Sequence, residues 1–99
     1  MGNTNAFDTS HLTVIVPCYN EEERFDLSYW NYIVTKSGNS NWCFVNDGSN
    51  DSTLKLLHSL ESKHSNVAIV NLEQNSGKAE AIRTAILTFR EYRPMYFAY

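Results

Sequence analysis

Three short apolar runs, none with regular polar alternation, restrict the fold of this chain more than any other feature. The runs are LTVIVP at 12–17, NWCFVN at 41–46 and NVAIVNLE at 66–73. A strand with one buried face alternates apolar and polar side chains, whereas a continuous apolar run is typical of a strand covered on both faces. Such strands belong to parallel sheets with helices on either side. The runs therefore predict three buried parallel strands.

The segments that follow each of these runs show the apolar periodicity of a helix. After the first run, Asn20 is a natural N-cap and Glu21–Glu23 suit a first turn, so a helix is expected from about 22 to 36. The second segment has Asp51 or Ser52 as its cap. Residues that recur at helical spacing are Phe25, Trp30, Ile33 and Val34 in the first segment, Leu54, Leu57, Leu60 and His64 in the second, and Ala79, Ile82, Ala85, Ile86 and Phe89 in the third.

The order of these elements predicts the fold class. Residues 95–99, MYFAY, follow Pro94 and indicate a fourth strand, so the order is β-α-β-α-β-α-β. Strands that alternate with helices of this length form right-handed βαβ units and a parallel sheet between two helical layers. We expect an α/β three-layer sandwich with strand order 3-2-1-4 over residues 11–99, preceded by a disordered tail at 1–10.

Size and charge exclude several classes of protein. The chain has 99 residues, which fits one domain, and a net charge of −3, whereas a nucleic-acid binder needs a basic surface. It has no apolar stretch near the roughly 20 residues that span a bilayer, and residues 1–11 lack the features of a signal peptide. We expect a cytoplasmic chain without a membrane span. Cys18 and Cys43 are expected to be free thiols, because they occupy opposite ends of neighbouring strands.

The loops after the three apolar runs are rich in polar residues. They read PCYNE, NDGSND and EQNSGK, and they follow the carboxyl ends of the predicted strands, where open parallel sheets bind ligands. The Asp-Gly pair favours a hairpin turn, but the helical leucine pattern that follows rejects it. A strand-to-helix loop, with Gly48 at positive φ and Asp51 as cap, explains most of NDGSND. It leaves Asp47 unexplained, because a carboxylate at the end of a buried strand needs a donor.

Three segments in this order resemble the N-terminal half of the family 2 glycosyltransferases, which have the GT-A fold. The segments are VIVPCYNEEE, FVNDGSNDST and NSGKAEAIRTA, and the resemblance extends over residues 12–99. It implies that the chain is part of an enzyme that transfers a sugar from a nucleotide diphosphate sugar (NDP-sugar) to an acceptor such as a polyprenyl phosphate or a cell-envelope glycan. The implied nucleotide of this partner is UDP, GDP or dTDP.

The resemblance also implies a nucleotide-binding site. Pro17, Tyr19 and Glu21 match positions that shape the base and ribose pocket. Asp47 matches the aspartate that accepts a hydrogen bond from a ring nitrogen of the base, which an ionised carboxylate can do for uracil or guanine but not for adenine. The remaining members of the implied site, in the second and third loops, are Gly48, Ser49, Gly77 and Lys78.

Several of these residues also have an ordinary structural explanation. Lys78 begins a helix, where a positive charge and backbone donors suit a phosphate, but most lysines are simply solvated. Tyr19 can cover the edge of the sheet, and the glutamates at 21–23 can interact with a helix dipole, with Glu21 as the exception because of its position in the motif. The assignment of the site therefore depends on the three segments together.

The sequence departs from the family pattern at its end. In the family, the fourth strand leads into an Asp-x-Asp motif that holds a divalent metal, Mg²⁺ or Mn²⁺, and the catalytic base and the acceptor-binding half come later. This sequence ends at YFAY, where that motif is expected to begin. We therefore expect that this chain alone binds no metal and transfers no sugar. The alternative is a non-catalytic nucleotide-binding or protein-interaction module on a truncated GT-A fold.

The predicted fourth strand has a consequence for assembly. The segment 95–99 contains Met95, Tyr96, Phe97 and Tyr99 and has neither proline nor lysine. The unpaired backbone groups of an apolar edge strand are a template for pairing with another chain. A homo-oligomer that pairs along this edge is expected.

Overall fold

The elements of the protein follow the predicted order. A computed structural model describes residue 7, residues 11–90 and residues 93–96. The predicted tail, except for Phe7, and residues 97–99 of the predicted fourth strand lie outside the described residues. The elements in chain order are β1 Leu12–Cys18, α1 Leu27–Lys36, β2 Asn41–Asp47, α2 Thr53–Glu61, β3 Val67–Leu72, α3 Lys78–Thr88 and β4 Arg93–Tyr96.

The four strands form one parallel sheet in the order β3-β2-β1-β4, which confirms the predicted order. In its register, Val16 on β1 lies opposite Phe44 on β2, and Ile15 on β1 lies opposite Tyr96 on β4. β2 and β3 are added on one side of β1, whereas β4 lies on its other side, so the strand order reverses between β1 and β4. The PCYNE segment therefore begins at the switch point, where open sheets bind ligands.

Helices cover both faces of the sheet, which explains why β1 and β2 lack polar alternation, whereas β3, which was also predicted to be buried, lies at the edge of the sheet and is mostly half-buried. On one face, α1 and α2 bury Trp30, Leu57 and Leu60 against the sheet. The Trp30 ring meets the Phe44 ring edge-on, with 5.2 Å between the ring centroids. The core on the other face, which α3 covers, consists of Ile15, Cys43, Val45, Ala81 and Ala85.

The first helix begins later than predicted. Its N-cap is Asp26, whose Oδ1 accepts a hydrogen bond from the backbone N–H of Tyr29 at 3.0 Å. Asn20 has a left-handed φ of 49°, and its Oδ1 accepts a hydrogen bond from the backbone N–H of Asn50 at 2.8 Å. The predicted start was wrong because Asn20 satisfies a distant loop rather than the first turn of α1.

The second and third helices also differ in detail from the prediction. Helix α2 ends at Glu61, so His64 lies beyond it, and the His64 Nε2 is 2.7 Å from the Asn31 Oδ1. Ala79 is exposed, and the buried alanines of α3 are Ala81 and Ala85. The buried face of α3 therefore runs through Ala81 and Ala85 rather than through Ala79.

The fourth strand includes a proline that the predicted segment left out. It spans Arg93–Tyr96 and lies at one edge of the sheet, with Pro94 opposite Thr13 of β1. Proline has no backbone N–H and is confined largely to edge strands within sheets. Pro94 therefore contributes no backbone N–H donor to this strand.

Cys18 and Cys43 are free thiols, as predicted. In the register, Cys18 lies opposite Asn46 and Cys43 lies opposite Ile15, so the two cysteines are offset along the strands. They also belong to the cores on opposite faces of the sheet. Burial raises the pKa of each thiol to about 12, and the charge of Glu21 adds to the effect at Cys18. Neither is a thiolate nucleophile near neutral pH.

Candidate functional site

The ends of β1 and β2, the loops after β1 and β3, and the start of α3 surround a cleft of about 230 Å³. Six residues predicted from the sequence line it, whereas the predicted residues Gly48 and Ser49 are not part of the lining. Cys18 and Asn75 are lining residues that the sequence analysis missed. The complete lining consists of Pro17, Cys18, Tyr19, Glu21, Asp47, Asn75, Gly77 and Lys78.

Asp47 ends β2 and is only 3% exposed. Its Oδ1 accepts hydrogen bonds from the backbone N–H and the hydroxyl of Ser76, at 2.8 and 2.9 Å. Its Oδ2 accepts from the backbone N–H of Gly77 at 2.9 Å and from the Asn75 Nδ2 at 3.2 Å. A carboxylate offers about four lone-pair positions, so all of them are occupied. These donors explain how a carboxylate is tolerated at the end of a buried strand.

Gly48 permits a close approach between β2 and the loop that follows β3. Its φ of 69° is in the left-handed region, and a Cβ at this position would lie 2.2 Å from the backbone N of Asn75. Any larger residue must therefore displace the loop. Gly48 shapes the cleft by allowing this loop to dock, rather than by lining the cleft.

The loop after β3 ends at the N-terminus of α3. Its N-cap, Gly77, has a φ of 94°, a conformation that residues with side chains rarely adopt. Lys78 is the first residue of the helix and is exposed at the cleft. The first backbone N–H groups of a helix lack intrahelical acceptors, and the helix dipole is positive at this end. The start of α3 therefore favours an anion.

The loops after β1 and β2 hold each other in place. The backbone N–H of Asn20 donates to the Ser49 Oγ at 2.9 Å, and the backbone N–H of Asn50 donates to the Asn20 Oδ1 at 2.8 Å. Ser49 therefore connects the two loops. Beside them is a more open hollow of about 480 Å³, but its lining contains no strand residue, so we assign the site to the smaller cleft at the strand ends.

Asp51 adds a charged connection between the same two loops. Its carboxylate accepts hydrogen bonds from the backbone N–H groups of Glu22 at 3.2 Å and Thr53 at 2.9 Å. Desolvation acts to raise the pKa of Asp51, but the hydrogen bonds from Thr53 and Glu22 outweigh it and lower that pKa below its ordinary value. The connection therefore depends on an ionised Asp51.

Glu21 and Tyr19 form the side of the cleft that the first loop contributes. Glu21 is 8% exposed, and its Oε1 lies 2.9 Å from the Arg24 Nη2, so its charge is paired. Its backbone N–H donates to the Thr53 Oγ1 at 2.8 Å. Tyr19 is 41% exposed. This side of the cleft offers an accessible aromatic ring beside a paired carboxylate.

Asn46 is a further polar residue at the end of β2 that the sequence analysis missed. It is 3% exposed, and its Nδ2 donates to the Asn71 Oδ1 at 2.8 Å. Its Oδ1 is buried without a hydrogen-bond partner among the described residues. An unpaired buried acceptor costs about 1–3 kcal/mol. Its neighbour on β1 is Cys18, which lines the cleft, but Asn46 itself is not among the lining residues.

Neither a metal cluster nor a membrane-spanning helix is found in the part of the chain that the structure describes. Within residue 7, residues 11–90 and residues 93–96, no three or more His, Cys, Asp and Glu side chains are placed to hold a metal ion together. The helices of this part are too short or too polar to cross a bilayer.

The fold and the cleft define the class of protein. A parallel α/β sheet with a switch-point cleft, an accessible tyrosine and a lysine at a helix N-terminus is characteristic of nucleotide-binding α/β proteins. Residues 13–92 match the family described as Glycosyl transferase family 2. The chain belongs to this family, which confirms the resemblance of the three sequence segments.

Two curated relatives illustrate the range of the family. The chain is 36% identical over 98 residues to a dolichyl-phosphate beta-glucosyltransferase of Dictyostelium discoideum, a match that covers 89% of this chain and 30% of the relative. It is 29% identical over 82 residues to a poly-beta-1,6-N-acetyl-D-glucosamine synthase of Staphylococcus aureus (strain COL), which covers 83% of this chain and 20% of the relative. The chain thus spans less than a third of either protein.

Solved structures of glycosyltransferases confirm the GT-A architecture. Residues 1–349 of S. aureus TarS match with a TM-score of 0.68 and 26% identity, over 89% of this chain and 27% of that chain. The same part of TarS has been solved in complex with UDP. The mannosyltransferase PcManGT from Pyrobaculum calidifontis, in complex with GDP-Man and Mn²⁺, matches with a TM-score of 0.62 and 25% identity, over 79% of this chain and 24% of that chain.

Proposed function

We propose that this chain supplies the nucleotide-binding part of a glycosyltransferase that transfers a sugar from an NDP-sugar to an acceptor. The observation that carries the proposal is the cleft at the switch point, because six of the residues implied by the family resemblance line it together. Solved relatives carry UDP or GDP-Man, so uridine and guanosine diphosphates are the first ligands to test. An acceptor such as a polyprenyl phosphate or a cell-envelope glycan belongs to the same proposal.

The two sides of the cleft suit the two parts of a nucleotide. Tyr19 and Pro17 offer an aromatic and an apolar surface to the base and ribose. Lys78 and the first N–H groups of α3 offer a point charge and backbone donors to the diphosphate. Binding in this orientation places the base toward β1 and the phosphates toward α3.

The end of β2 provides the acceptor that a base ring N–H requires. The family resemblance assigns this role to Asp47, and that assignment stays a prediction. For Asp47 to accept from the base, one of its loop donors must be exchanged, and the Asn75 amide, at 3.2 Å, makes the longest of these bonds.

The chemistry of transfer requires groups beyond those in the described residues. In GT-A enzymes a divalent metal neutralises the leaving diphosphate when it is bound, and the PcManGT complex contains Mn²⁺. The described residues supply no matching set of ligands. We therefore derive no step through the metal, and we assign to this chain only the binding and orientation of the nucleotide.

Isothermal titration of the chain with UDP and GDP tests the proposal. Lys78→Ala is expected to weaken binding by about 1.5–3 kcal/mol, because it removes a charge-assisted hydrogen bond to phosphate. Lys55→Ala is the matched control, since Lys55 is an exposed lysine on α2 that is not in the cleft lining. Equal losses in the two variants, or no binding to the unmodified chain, would contradict the proposed function.

Two finer predictions also belong to this proposal. The cytoplasmic location stays a prediction. A homo-oligomer formed along the edge that begins with β4 is supported by the place of β4 at the end of the strand order. The presence of Pro94 within that strand weakens the support, because it removes a donor from the ladder that a second copy would extend.

A further inference from the structure

The outer edge of β3 differs from the edge that β4 forms on the other side of the sheet. Within the part of the chain that the structure describes, β3 pairs with β2 on one side and with no strand on its other side. Its six residues, VAIVNL, include neither a charged residue nor a proline, which are common means of blocking an edge. The strand β4 is shorter and contains Arg93 and Pro94. Of the two edges, β3 is therefore the better template for pairing with another strand.

Alternate residues of β3 direct their backbone groups away from β2. The Trp42 N–H donates to the Asn66 O at 2.8 Å, in the parallel register that places Trp42 opposite Val67. The groups that bond one neighbouring strand belong to every second residue, so Asn66 and the residues in step with it face β2. The N–H and C=O groups of Ile69 and Asn71 are out of step with Asn66 and therefore face outward.

Half-buried apolar side chains flank this edge on both faces of the sheet. Ile69 packs against the core beneath α1 and α2, whereas Val70 and Leu72 pack against the core beneath α3. Because α3 lies mainly over β1 and β2, it leaves Val70 and Leu72 incompletely covered. A strand added at this edge removes more of this apolar surface from water, which favours association.

Charged residues of opposite sign lie at the two ends of β3. Lys63 is in the turn that precedes the strand, and Glu73 follows its last residue. Both side chains are exposed. If two copies of β3 run antiparallel, the start of one strand meets the end of the other, so each lysine approaches the glutamate of the other copy. Parallel pairing would bring like charges together instead.

We propose that the β3 edge is an interface between two copies of this chain, in which the β3 strands pair antiparallel about a two-fold axis through Ile69. This axis places Ile69 opposite its own copy and Val67 opposite Asn71 of the second copy, so the outward N–H and C=O groups meet. These three residues share one face of β3, so each core stays on its own side of the joined sheet. The opposite charges at the strand ends favour a second copy in this direction over an unrelated strand.

The interface does not depend on the proposed function. Antiparallel pairing places the carboxyl ends of the strands of the two copies at opposite ends of the joined sheet, so the two clefts do not meet. Both clefts remain open to a ligand. Association can therefore be measured without a nucleotide.

Sedimentation velocity of charge-reversal variants tests the proposal. The unmodified chain is expected to form a dimer at micromolar concentration. Lys63→Glu and Glu73→Lys each turn two attractive approaches of the symmetric dimer into repulsive ones, so each is expected to raise the dimer dissociation constant about tenfold. The double variant restores opposite charges and is expected to return this constant to within about threefold of the unmodified value.

Two matched controls change the same charges elsewhere. Lys55→Glu and Glu23→Lys alter exposed residues that lie outside β3 and its flanking turns, and they are expected to leave the dissociation constant unchanged. A monomer at all concentrations would overturn the proposal, and so would a double variant that associates no better than the single variants. Association that is lost in Met95→Lys and kept in Glu73→Lys would assign the interface to β4 and would equally overturn it.

A measurement on the unmodified chain needs no variant. Amide hydrogen exchange of Ile69 and Asn71 is expected to slow at least about tenfold as the protein concentration rises through the dimer dissociation constant, because their N–H groups become bonded across the interface. Exchange of the Ser28 amide, in the first turn of α1 and away from β3, is expected to stay independent of concentration. Exchange of Ile69 and Asn71 that does not change with concentration would contradict the proposal.

Discussion

The carboxylates of Asp47, at the end of β2, and Asp51, in the loop that follows, hold the loops after β3 and β1 in place. Asp47 accepts hydrogen bonds from the loop after β3, and Asp51 accepts from the backbone of the loop after β1. Between them, Gly48 provides the space in which the third loop docks, and Ser49 bonds the first loop. The NDGSND segment therefore both turns the chain and sets the shape of the cleft.

Substitution of Gly48 tests the close approach of the third loop. Gly48→Ala is expected to lower the free energy of unfolding by about 2–4 kcal/mol, because it combines a left-handed backbone with a collision at the Asn75 backbone. Gly38→Ala is the control, since its Cβ would meet only the Thr35 O at an ordinary 3.7 Å. Urea unfolding of both variants measures the effect. Equal stabilities of the two variants would show that the loop is not docked at Gly48.

The ionisation of Asp51 predicts a pH dependence of stability. Because the pKa of Asp51 is lowered in the folded chain, its contribution is present above the unfolded pKa of about 3.9 and is lost as the pH falls through the folded value. Asp51→Asn should therefore be less stable than the unmodified chain near neutral pH, and the difference should shrink in acid. Urea unfolding at about pH 7 and at about pH 2.5 measures this. A difference that is constant with pH would contradict the role of the charge.

Among the strands and helices, local patterns in the sequence were sufficient to predict which elements form and in what order, but not where each of them begins and ends. Apolar runs and helical stripes predicted the order of the elements because burial on both faces leaves a local signal. The start of α1 was missed because Asn20 bonds Asn50, which lies 30 positions away. The donors to Asp47 were missed for the same reason, since Asn75 lies 28 positions further along the chain.

The corrected start of α1 can be tested with two substitutions. Asp26→Ala removes the N-cap and is expected to lower the free energy of unfolding by about 0.5–2 kcal/mol. Glu23→Ala changes an exposed residue that precedes the helix and is expected to have an effect within about 0.5 kcal/mol. Thermal or urea unfolding compares them. A larger loss for Glu23→Ala than for Asp26→Ala would support the earlier start that the sequence predicted.

At the scale of the whole molecule, the strand order positions the site. The order β3-β2-β1-β4 places the ends of β1 and β2 side by side at the switch point, and α3 brings Lys78 to the same end of the sheet. Right-handed crossovers restrict the possible orders, so the sheet could be predicted from the sequence. The residues that line the cleft could be predicted only in part, because Asn75 enters it through the close approach of the third loop to Gly48.

The edge of the sheet gives a prediction for the assembled state. If a second copy pairs along the edge that begins with β4, sedimentation velocity at micromolar concentration should show a dimer or a higher oligomer. Met95→Lys is expected to weaken this association, because a lysine on an edge strand opposes edge-to-edge pairing. Thr35→Lys on the exposed surface of α1 serves as the control. A monomer at all concentrations would refute pairing along this edge.

An NMR titration of the isotopically labelled chain with UDP tests nucleotide binding at the cleft most directly. We expect the backbone amide signals of Tyr19, Gly77 and Lys78 to shift together with one dissociation constant, because these residues line one cleft. The signals of Tyr32 and Lys36, on the exposed face of α1, should stay in place. Shifts that are absent at the cleft, or that are centred on α1, would contradict the claim that this cleft binds a nucleoside diphosphate.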